Sequence, residues 1–589
     1  MDVLVLSVAL VLPALISLVL PAQKRVHRIW HRVMPLWLAV YTAIFVFMEA
    51  ATPSFVDQYD SRPNRLFFEY LDHPREVFST LWAAYKLPLL LAIVLVALAA
   101  WGAWKGSRSL AQASRPWGWD KRLIVLPVVL LLLFAGARSS FGHRPANMST
   151  AAFSNDSLVN QLGVSSTYSL GYALYRMRDE SDSVRFYGKM PPEEVVRRIR
   201  QAMNIPENLF TNSEMPTLHR QIPLKKRDKP LNLVIILEES LGADYVKSLG
   251  GLPLTPELEK LSQKGLWFSR LYATGTRSVR GIEAVVTGFA PTPARSVVKL
   301  GLAQQNFFTL ARLLKDQGYE TEFIYGGDSQ FDNMRGFLFG NGFDRVIDEN
   351  NFTGWIFRGA WGVCDEDIFK RTHKELLAHG GKPFFTLVFS VSNHSPFEFP
   401  DDRIELYEEP KNSRYNAVKY SDFALGKFFE RASKSPYWDN TLFLVVADHE
   451  DRVFGKELVP VSHFHIPALM LGADVQPAHY DKVASQIDLP TTVLSLMGIE
   501  SIHPMQGYDL MQTPANDPGR AVMQFGNNQA YMVGDQVVIH TPGKPPSQFV
   551  CRNGKLAPAD EQPELVKDAL AQAIWPTIAY REKRYRMGE

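Results

Sequence analysis

Beyond residue 230, four short apolar runs each end in polar groups that can do chemistry. Leu231–Leu237 leads into Glu238-Glu239-Ser240, Glu322–Tyr325 into Gly326-Gly327-Asp328, Phe384–Val391 into Asn393-His394, and Leu442–Ala447 into Asp448-His449. Carboxylate oxygens with an imidazole suit a hard or borderline divalent ion such as Mn²⁺, Mg²⁺ or Zn²⁺. Such an ion polarises a phosphoryl or sulfuryl oxygen and stabilises an alkoxide nucleophile. A nucleophile is at hand in Ala273-Thr-Gly-Thr-Arg-Ser-Val-Arg-Gly-Ile-Glu283, where a hydroxyl residue leads into an apparent helix over Val279–Thr287. A helix amino terminus is a ready anion-binding site. Ser278, placed there, also fits an ordinary N-cap.

These groups work together only on a scaffold that gathers them. The four runs, with Ile466–Leu471, alternate with amphipathic stretches at Glu257–Lys264, Phe307–Gln317, Asp367–Leu377 and Asn416–Ala432. Continuous apolar strands alternating with helices predict an α/β domain with a mostly parallel central sheet covered on both faces. Ligands bind such sheets outside the carboxyl ends of the strands. One polar strand end is an ordinary turn or cap; four that converge on one edge point to a metal site.

The first 140 residues differ. Apolar runs at Val3–Leu20, Pro35–Ala51, Leu87–Trp104 and Leu123–Ala137 predict four transmembrane helices, with Lys86, Lys105 and Arg122 snorkelling at their ends. The first run has no basic segment before it and no small-residue cleavage site after it, so it reads as a span rather than a signal peptide. Residues 21–34 and 105–122 are rich in Lys and Arg, and 52–79 is not. Basic loops stay cytoplasmic, which puts the middle loop and everything after residue 140 outside. The expected organisation is a transmembrane domain (1–140), a helical connector (141–228), a catalytic domain (229–515) and a small β-rich appendage with a terminal basic helix over Ala569–Arg586 (516–589). The connector ends in Lys225-Lys226-Arg227-Asp228-Lys229, either a solvated face or a surface against anionic lipid head groups.

Composition narrows the function. Among 589 residues, 63 basic and 61 acidic side chains leave a net charge of +2, which excludes a nucleic-acid footprint. Two cysteines, Cys364 and Cys551, exclude a disulfide scaffold, although an extracytoplasmic location permits one bond between them. At 46% hydrophobic and 21% charged, the chain is not a disordered one.

At Glu239-Ser240, Thr274–Glu283, Tyr325-Gly-Gly-Asp-Ser-Gln-Phe-Asp-Asn-Met-Arg335, Asn393-His-Ser-Pro-Phe and Ala447-Asp-His, in that order over about residues 231–515, the sequence resembles the lipoteichoic acid synthase family of the alkaline phosphatase and sulfatase superfamily. Arg138–Asn147 also resembles members. The likeness is strongest to Gram-negative members such as the osmoregulated periplasmic glucan phosphoglycerol transferases. It implies that Glu239, Asp448, His449 and the nucleophile hold one divalent metal, Mn²⁺ foremost, with Glu238 as the register alternative to Glu239. Ser278 matches the nucleophile position, usually a threonine, and Thr276 competes with it. Asp328, Arg335 and His394 match head-group positions: Arg335 would clamp phosphate, and His394 would protonate the leaving oxygen or bind the head group. Lipoteichoic acid synthases have a tryptophan between Asp328 and Arg335; here Asn333 stands there, and Trp361 is a candidate replacement. His463 and His465 are further candidate ligands, since two-metal relatives bring a histidine from this region. Arg280 and Glu283 are expected to orient the nucleophile helix.

The resemblance implies a transferase anchored in the cytoplasmic membrane with its catalytic domain on the periplasmic side. It would move glycerophosphate from phosphatidylglycerol through a covalent phospho-serine to an acceptor hydroxyl. Four expected spans instead of five, and the missing tryptophan, favour an envelope glucan acceptor over a lipoteichoic acid chain. The alternatives are a phosphoethanolamine transferase, against which two cysteines argue, and a hydrolase of the phosphodiesterase or sulfatase type. Ser278-Val-Arg-Gly-Ile lacks the Cys/Ser-x-Pro-x-Arg turn of sulfatases. A non-enzymatic scaffold would not need Glu239, Asp448 and His449.

Overall fold

A computed structural model describes residues 2–21, 23–59, 62–63, 65–71, 74–113, 117–139, 162–178, 187–293, 295–451, 453 and 457–587. The chain divides into two compact units, Met1–Asp179 with Phe454–Glu457, and Glu180–Val453 with Leu458–Glu589. Of the expected connector, residues 141–161 and 179–186 lie outside the described residues, as does the matched stretch 138–147 beyond Ser139.

In the first unit, three helices among the described residues are long and apolar enough to cross a membrane: Asp2–Val19, Arg25–Gln58 and Lys86–Ala113. By length and composition these three alone qualify among the described residues. The fourth run lies in the helix Trp119–Arg138, where Asp120, Lys121, Arg122 and Arg138 leave an uncharged stretch below the ~20 residues of a perpendicular span. Arg122 is buried and has a structural job. Its guanidinium donates to the Trp117 carbonyl at 2.8 Å and to the carbonyls of Leu18 (3.3 Å) and Leu20, capping the end of the first helix.

The second unit is built on nine strands: β1 (Asn232–Glu238), β2 (Leu266–Tyr272), β3 (Glu320–Tyr325), β4 (Arg345–Ile347), β5 (Phe384–Phe389), β6 (Thr441–Ala447), β7 (His465–Leu471), β8 (Ala478–Tyr480) and β9 (Ala484–Ser485). Their order is β8-β2-β7-β6-β1-β5-β3-β4, with β9 beside β2. Every residue of β1, β5 and β6 is buried, as continuous apolar strands require when helices cover both faces. Phe268, Phe323, Phe385 and Phe389 fill the core, each contributing about 1.5–3 kcal/mol on burial.

The sheet is mixed. Strands β6-β1-β5-β3-β4 are parallel neighbours. Strand β7, read from the sequence as one more parallel strand, runs antiparallel to both β6 and β2. A parallel return needs a crossover, usually a helix; between β6 and β7 the described residues hold only the single turn Val461–Phe464.

At the carboxyl end of the chain, five antiparallel strands from Arg520 to Pro558 form a second sheet. A helix packs Leu565, Val566 and Ala569 against its Val522, Tyr531 and Val538. That helix spans Pro563–Arg581, starting earlier than expected because Pro563 suits a first turn, where its missing N–H is not needed. The helix Pro192–Met203 joins it through buried Arg198, which pairs with Glu564 at 2.7 Å and Asp568 at 2.6 Å. The basic stretch is occupied at the surface: Lys225 and Arg227 pair with Asp474, and Lys226 with Glu500. Cys364 and Cys551 are both buried and form no disulfide.

Candidate active site

Strands β1 and β6 are adjacent and parallel, so the residues after them emerge side by side. Glu239, Asp448 and His449 are buried, and their ligand atoms lie within 4.8 Å of one another. Hydrogen bonds fix the turn. Ser240, at φ 54° in the left-handed region, donates its N–H to Asp448 Oδ1 at 2.7 Å, and the His449 N–H donates to the same oxygen at 2.7 Å. A residue other than glycine held in that conformation stores strain, a common mark of functional turns. The Ser240 hydroxyl donates to Glu239 Oε1 at 2.5 Å, and the Glu239 N–H donates to Ser390 Oγ at 2.8 Å. His449 Nδ1–H donates to the Glu450 carbonyl at 2.6 Å, turning Nε2 inward as an acceptor.

Ser278 completes the set. It is the first residue of the helix Ser278–Thr287, whose N-cap is Arg277, so the hydroxyl is not spent on capping. Ser278 Oγ lies 3.3 Å from Glu239 Oε2 and 3.4 Å from His449 Nε2, and His449 Nε2 lies 3.3 Å from Asp448 Oδ2. These separations are long for hydrogen bonds of a hydroxyl. They match the edges, about 3.3–3.4 Å, of a tetrahedral donor set around an ion with bonds of about 2.0–2.1 Å. Asp448 Oδ2 is buried with no hydrogen-bond partner, a cost of about 1–3 kcal/mol that an ion would remove. Two carboxylates, an imidazole and a hydroxyl therefore fit a divalent metal. Burial pushes Glu239 up to about 8, with the Asp448 charge adding to it, and pushes Asp448 up to about 7; burial lowers His449.

The helix carrying Ser278 comes very close to Asp448. A Cβ on Gly281 would stand 2.6 Å from Asp448 Cα, so only glycine permits the approach. Gln486 ties the same strand end, donating to the carbonyls of Ala447 at 2.8 Å and Asp448 at 3.0 Å. From the carboxyl-terminal sheet, the Gln524 N–H donates to the Thr274 carbonyl at 2.9 Å, supporting the nucleophile segment.

His394 is partly buried. Its Nδ1–H donates to the Ser395 carbonyl at 2.8 Å, leaving Nε2 as an acceptor. Burial lowers its pKa to about 4, and the charges of Arg277 and His449 add to the shift. Trp361 packs on it with ring centroids 3.9 Å apart, and donates its indole N–H to the Ser395 carbonyl at 2.8 Å. Next to His394, Asn393 is buried with both amide atoms unpartnered.

The other expected residues make contacts of their own. Asp328 accepts the Gln330 N–H at 2.8 Å, closing its own turn. Arg335 pairs with buried Asp348 at 3.1 Å and lies over the Phe339 ring, and none of its polar contacts is with the cluster. Asn333 donates to the Val298 carbonyl (3.1 Å) and to Gln304 Oε1 (2.7 Å). Asp332 and Asn333 both adopt left-handed φ, at 51° and 63°, and Phe331 of the same loop packs edge-on against Trp361 with ring centroids 5.1 Å apart. Glu238 faces the other way, accepting from Ser390 and Ser421 at 3.1 Å each. Arg280 and Glu283 form a buried ion pair at 2.8 Å. His465 bonds the Ser269 carbonyl at 2.8 Å, and His463 bonds Glu450 Oε1 at 2.8 Å. Sequence reading missed Arg277, whose charge acts on Glu239, His394 and His449 alike; its position directly before Ser278 was the available signal.

Residues 231–499 match the model of the Sulfatase family. The chain is 28% identical over 296 residues to Phosphoglycerol transferase I of Xanthomonas campestris pv. campestris (strain B100), 47% of this chain and 42% of that protein. It is 28% identical over 243 residues to Phosphoglycerol transferase I of Salmonella arizonae, 38% of this chain and 32% of that protein. The chain thus matches 42% or less of the length of these curated relatives. Among solved structures, a protein in the alkaline phosphatase superfamily from Vibrio parahaemolyticus is 48% identical, with a TM-score of 0.67, covering 69% of this chain and all of that one. The lipoteichoic acid synthase LtaP from Listeria monocytogenes shares the fold at 19% identity and a TM-score of 0.53, covering 66% of this chain and 98% of that one.

Proposed function

Because this chain belongs to the alkaline phosphatase superfamily, we propose that it is a metal-dependent phosphoglycerol transferase acting on a membrane lipid. The observation that carries the reading is the set of 3.3–3.4 Å separations linking Ser278 Oγ, Glu239, His449 and Asp448. Thr276, the rival hydroxyl, makes no comparable contact among the described residues. A divalent ion held by Glu239, Asp448, His449 and Ser278, with Mn²⁺ ahead of Mg²⁺ or Zn²⁺, would polarise the phosphoryl group and favour ionised Ser278 Oγ.

Ser278 Oγ attacks phosphorus of phosphatidylglycerol. The new bond is Ser278 Oγ–P, the bond that breaks joins phosphorus to the diacylglycerol oxygen, and that oxygen takes up the proton that Ser278 gave up on ionising. An acceptor hydroxyl then attacks the glycerophospho-serine and releases Ser278, as covalent catalysis requires. His394 Nε2, an acceptor because Nδ1–H is given to Ser395, suits the second step: it takes the proton of the incoming hydroxyl. Arg277 adds to the cationic field beside the transferring phosphoryl group, with Arg335 as the clamp on phosphate. Trp361 and Asn393 flank His394 and offer the head group a ring face and an unpaired amide. The helices of the first unit would keep the enzyme with its lipid donor, with the helix Trp119–Arg138 as a fourth crossing that puts the site in the periplasm. An envelope glucan supplies the acceptor hydroxyl.

The test is turnover of labelled phosphatidylglycerol or phosphatidylethanolamine by detergent-purified protein with Mn²⁺, Mg²⁺ or Zn²⁺. Diacylglycerol released from phosphatidylglycerol, and lost in Ser278→Ala, is the expected result. Preference for phosphatidylethanolamine moves the protein to the phosphoethanolamine transferases. No turnover of either lipid removes the reading.

A further inference from the structure

We propose that Asp244, Glu450 and His463 form a second divalent-cation site, separate from the Glu239, Asp448 and His449 site. Their ligand atoms lie within 4.8 Å of one another. His463 Nδ1 is 2.8 Å from Glu450 Oε1, a hydrogen bond, and 3.9 Å from Asp244 Oδ2.

A hydrogen-bonded His463–Glu450 pair alone would leave two features unexplained. The Glu450 side chain is 3% exposed, yet its Oε2 has no hydrogen-bond partner. Two carboxylates face one imidazole, and among the described residues neither has a lysine or arginine within ion-pair reach. A dication satisfies both: it gives the buried oxygen a partner and balances the two negative charges. Two oxygens and one nitrogen suit a borderline ion such as Zn²⁺ or Mn²⁺.

The fold holds the parts in place and leaves an entrance. A Cβ on Gly242 would meet Glu450 Cγ at 2.5 Å, so the main chain at Gly242 packs directly on that side chain. Asp244 follows in the turn Ala243–Tyr245 and its side chain is 60% exposed, which gives an ion access from solvent. Histidine 463 comes from the turn Val461–Phe464 before β7. The two sites meet at one residue: the Glu450 carbonyl accepts Nδ1–H of His449, while the Glu450 side chain faces the second cluster. Glu450 is thus an outer support of the first site and a ligand of the second.

The test counts metal equivalents by elemental analysis on the full chain in detergent, after equilibrium dialysis against Mn²⁺ or Zn²⁺. Wild type is expected to hold two equivalents, Glu239→Gln one, His463→Ala one, and the double variant none. In Asp244→Asn, an exposed change that leaves folding intact, the second dissociation constant should rise about 10-fold or more. A wild-type count of one overturns the proposal. So does a count of two in His463→Ala or, should that variant not fold, an unchanged second constant in Asp244→Asn. The count does not depend on turnover, so this proposal and the transferase reading can fail independently.

Discussion

Glu239 and Glu322 are both buried glutamates of the same sheet, and they are treated in opposite ways. Glu322, inside β3, is enclosed by partners: Arg345 on Oε2, and Thr386 (2.8 Å) and His379 (3.2 Å) on Oε1. Its pKa falls despite burial, because the hydrogen bonds of His379 and Thr386 and the Arg345 charge outweigh desolvation. Glu239, one residue beyond β1, has Asp448 for a neighbour, no paired lysine or arginine at hydrogen-bond distance among the described residues, and a pKa raised to about 8. A fold that neutralises one buried carboxylate with three partners and sets another beside a second carboxylate has reserved the latter for a charge from outside. The difference separates an acid that holds the structure together from one that waits for a metal.

The comparison breaks most visibly at the nucleophile. Ser278→Ala should lower turnover by about 10⁴-fold or more, measured as diacylglycerol release, with no loss of folding. Glu239→Gln should come next, with turnover down about 10³-fold and one metal equivalent gone. In chelator-treated protein its melting temperature should equal or exceed wild type, because a buried acid set beside the Asp448 carboxylate has been replaced by a neutral amide. Glu322→Gln should do the reverse. It should cost about 2 kcal/mol in denaturant unfolding, since it strips partners from buried His379 and half-exposed Arg345, and change kcat/KM by less than about twofold. If Glu239→Gln destabilised the chelated protein as much as Glu322→Gln does, the distinction between the two acids would be lost.

Smaller effects sharpen it. Burial pulls His379 down, but its bonds to Glu322 and Glu320 win and hold its pKa above the usual 6.5. A histidine raised on folding stabilises fully below its unfolded pKa and loses that contribution as pH rises through its folded value. Wild-type melting temperature should therefore fall from about pH 6 to about pH 8 relative to His379→Ala, and the gap between the two should narrow. The smallest expected change is Trp361→Ala, a rise in KM for the lipid of about 2–10-fold with kcat nearly kept, from loss of the ring that packs on His394.

What the sequence made legible was the part written in local pattern. Buried strands followed by Glu239, Asp448 and His449 are visible because an apolar run and its polar terminus are contiguous. Ser278 was visible because its helix is. The direction of β7 was not, since an apolar run looks alike whichever way it runs and only the path of the link from β6 decides direction. Arg335, Asp328 and Asn333 were expected at the head group from the resemblance alone. The left-handed φ of Asp332 and Asn333 was not legible, because single-residue backbone choices leave little trace in composition. Arg277 was overlooked because an arginine before a helix reads as an ordinary loop residue. Its effect on three site groups exists only once the strands have assembled.

The central claim is that Ser278 and the Glu239, Asp448 and His449 cluster form one metal-dependent nucleophile. Its most direct test is the mass of the peptide containing Ser278 after the protein meets phosphatidylglycerol and Mn²⁺ without acceptor. A glycerophosphate adduct on Ser278, absent after chelation and absent in Glu239→Gln, is the predicted result. An unmodified Ser278 alongside continuing diacylglycerol release, or an adduct on Thr276, would contradict it.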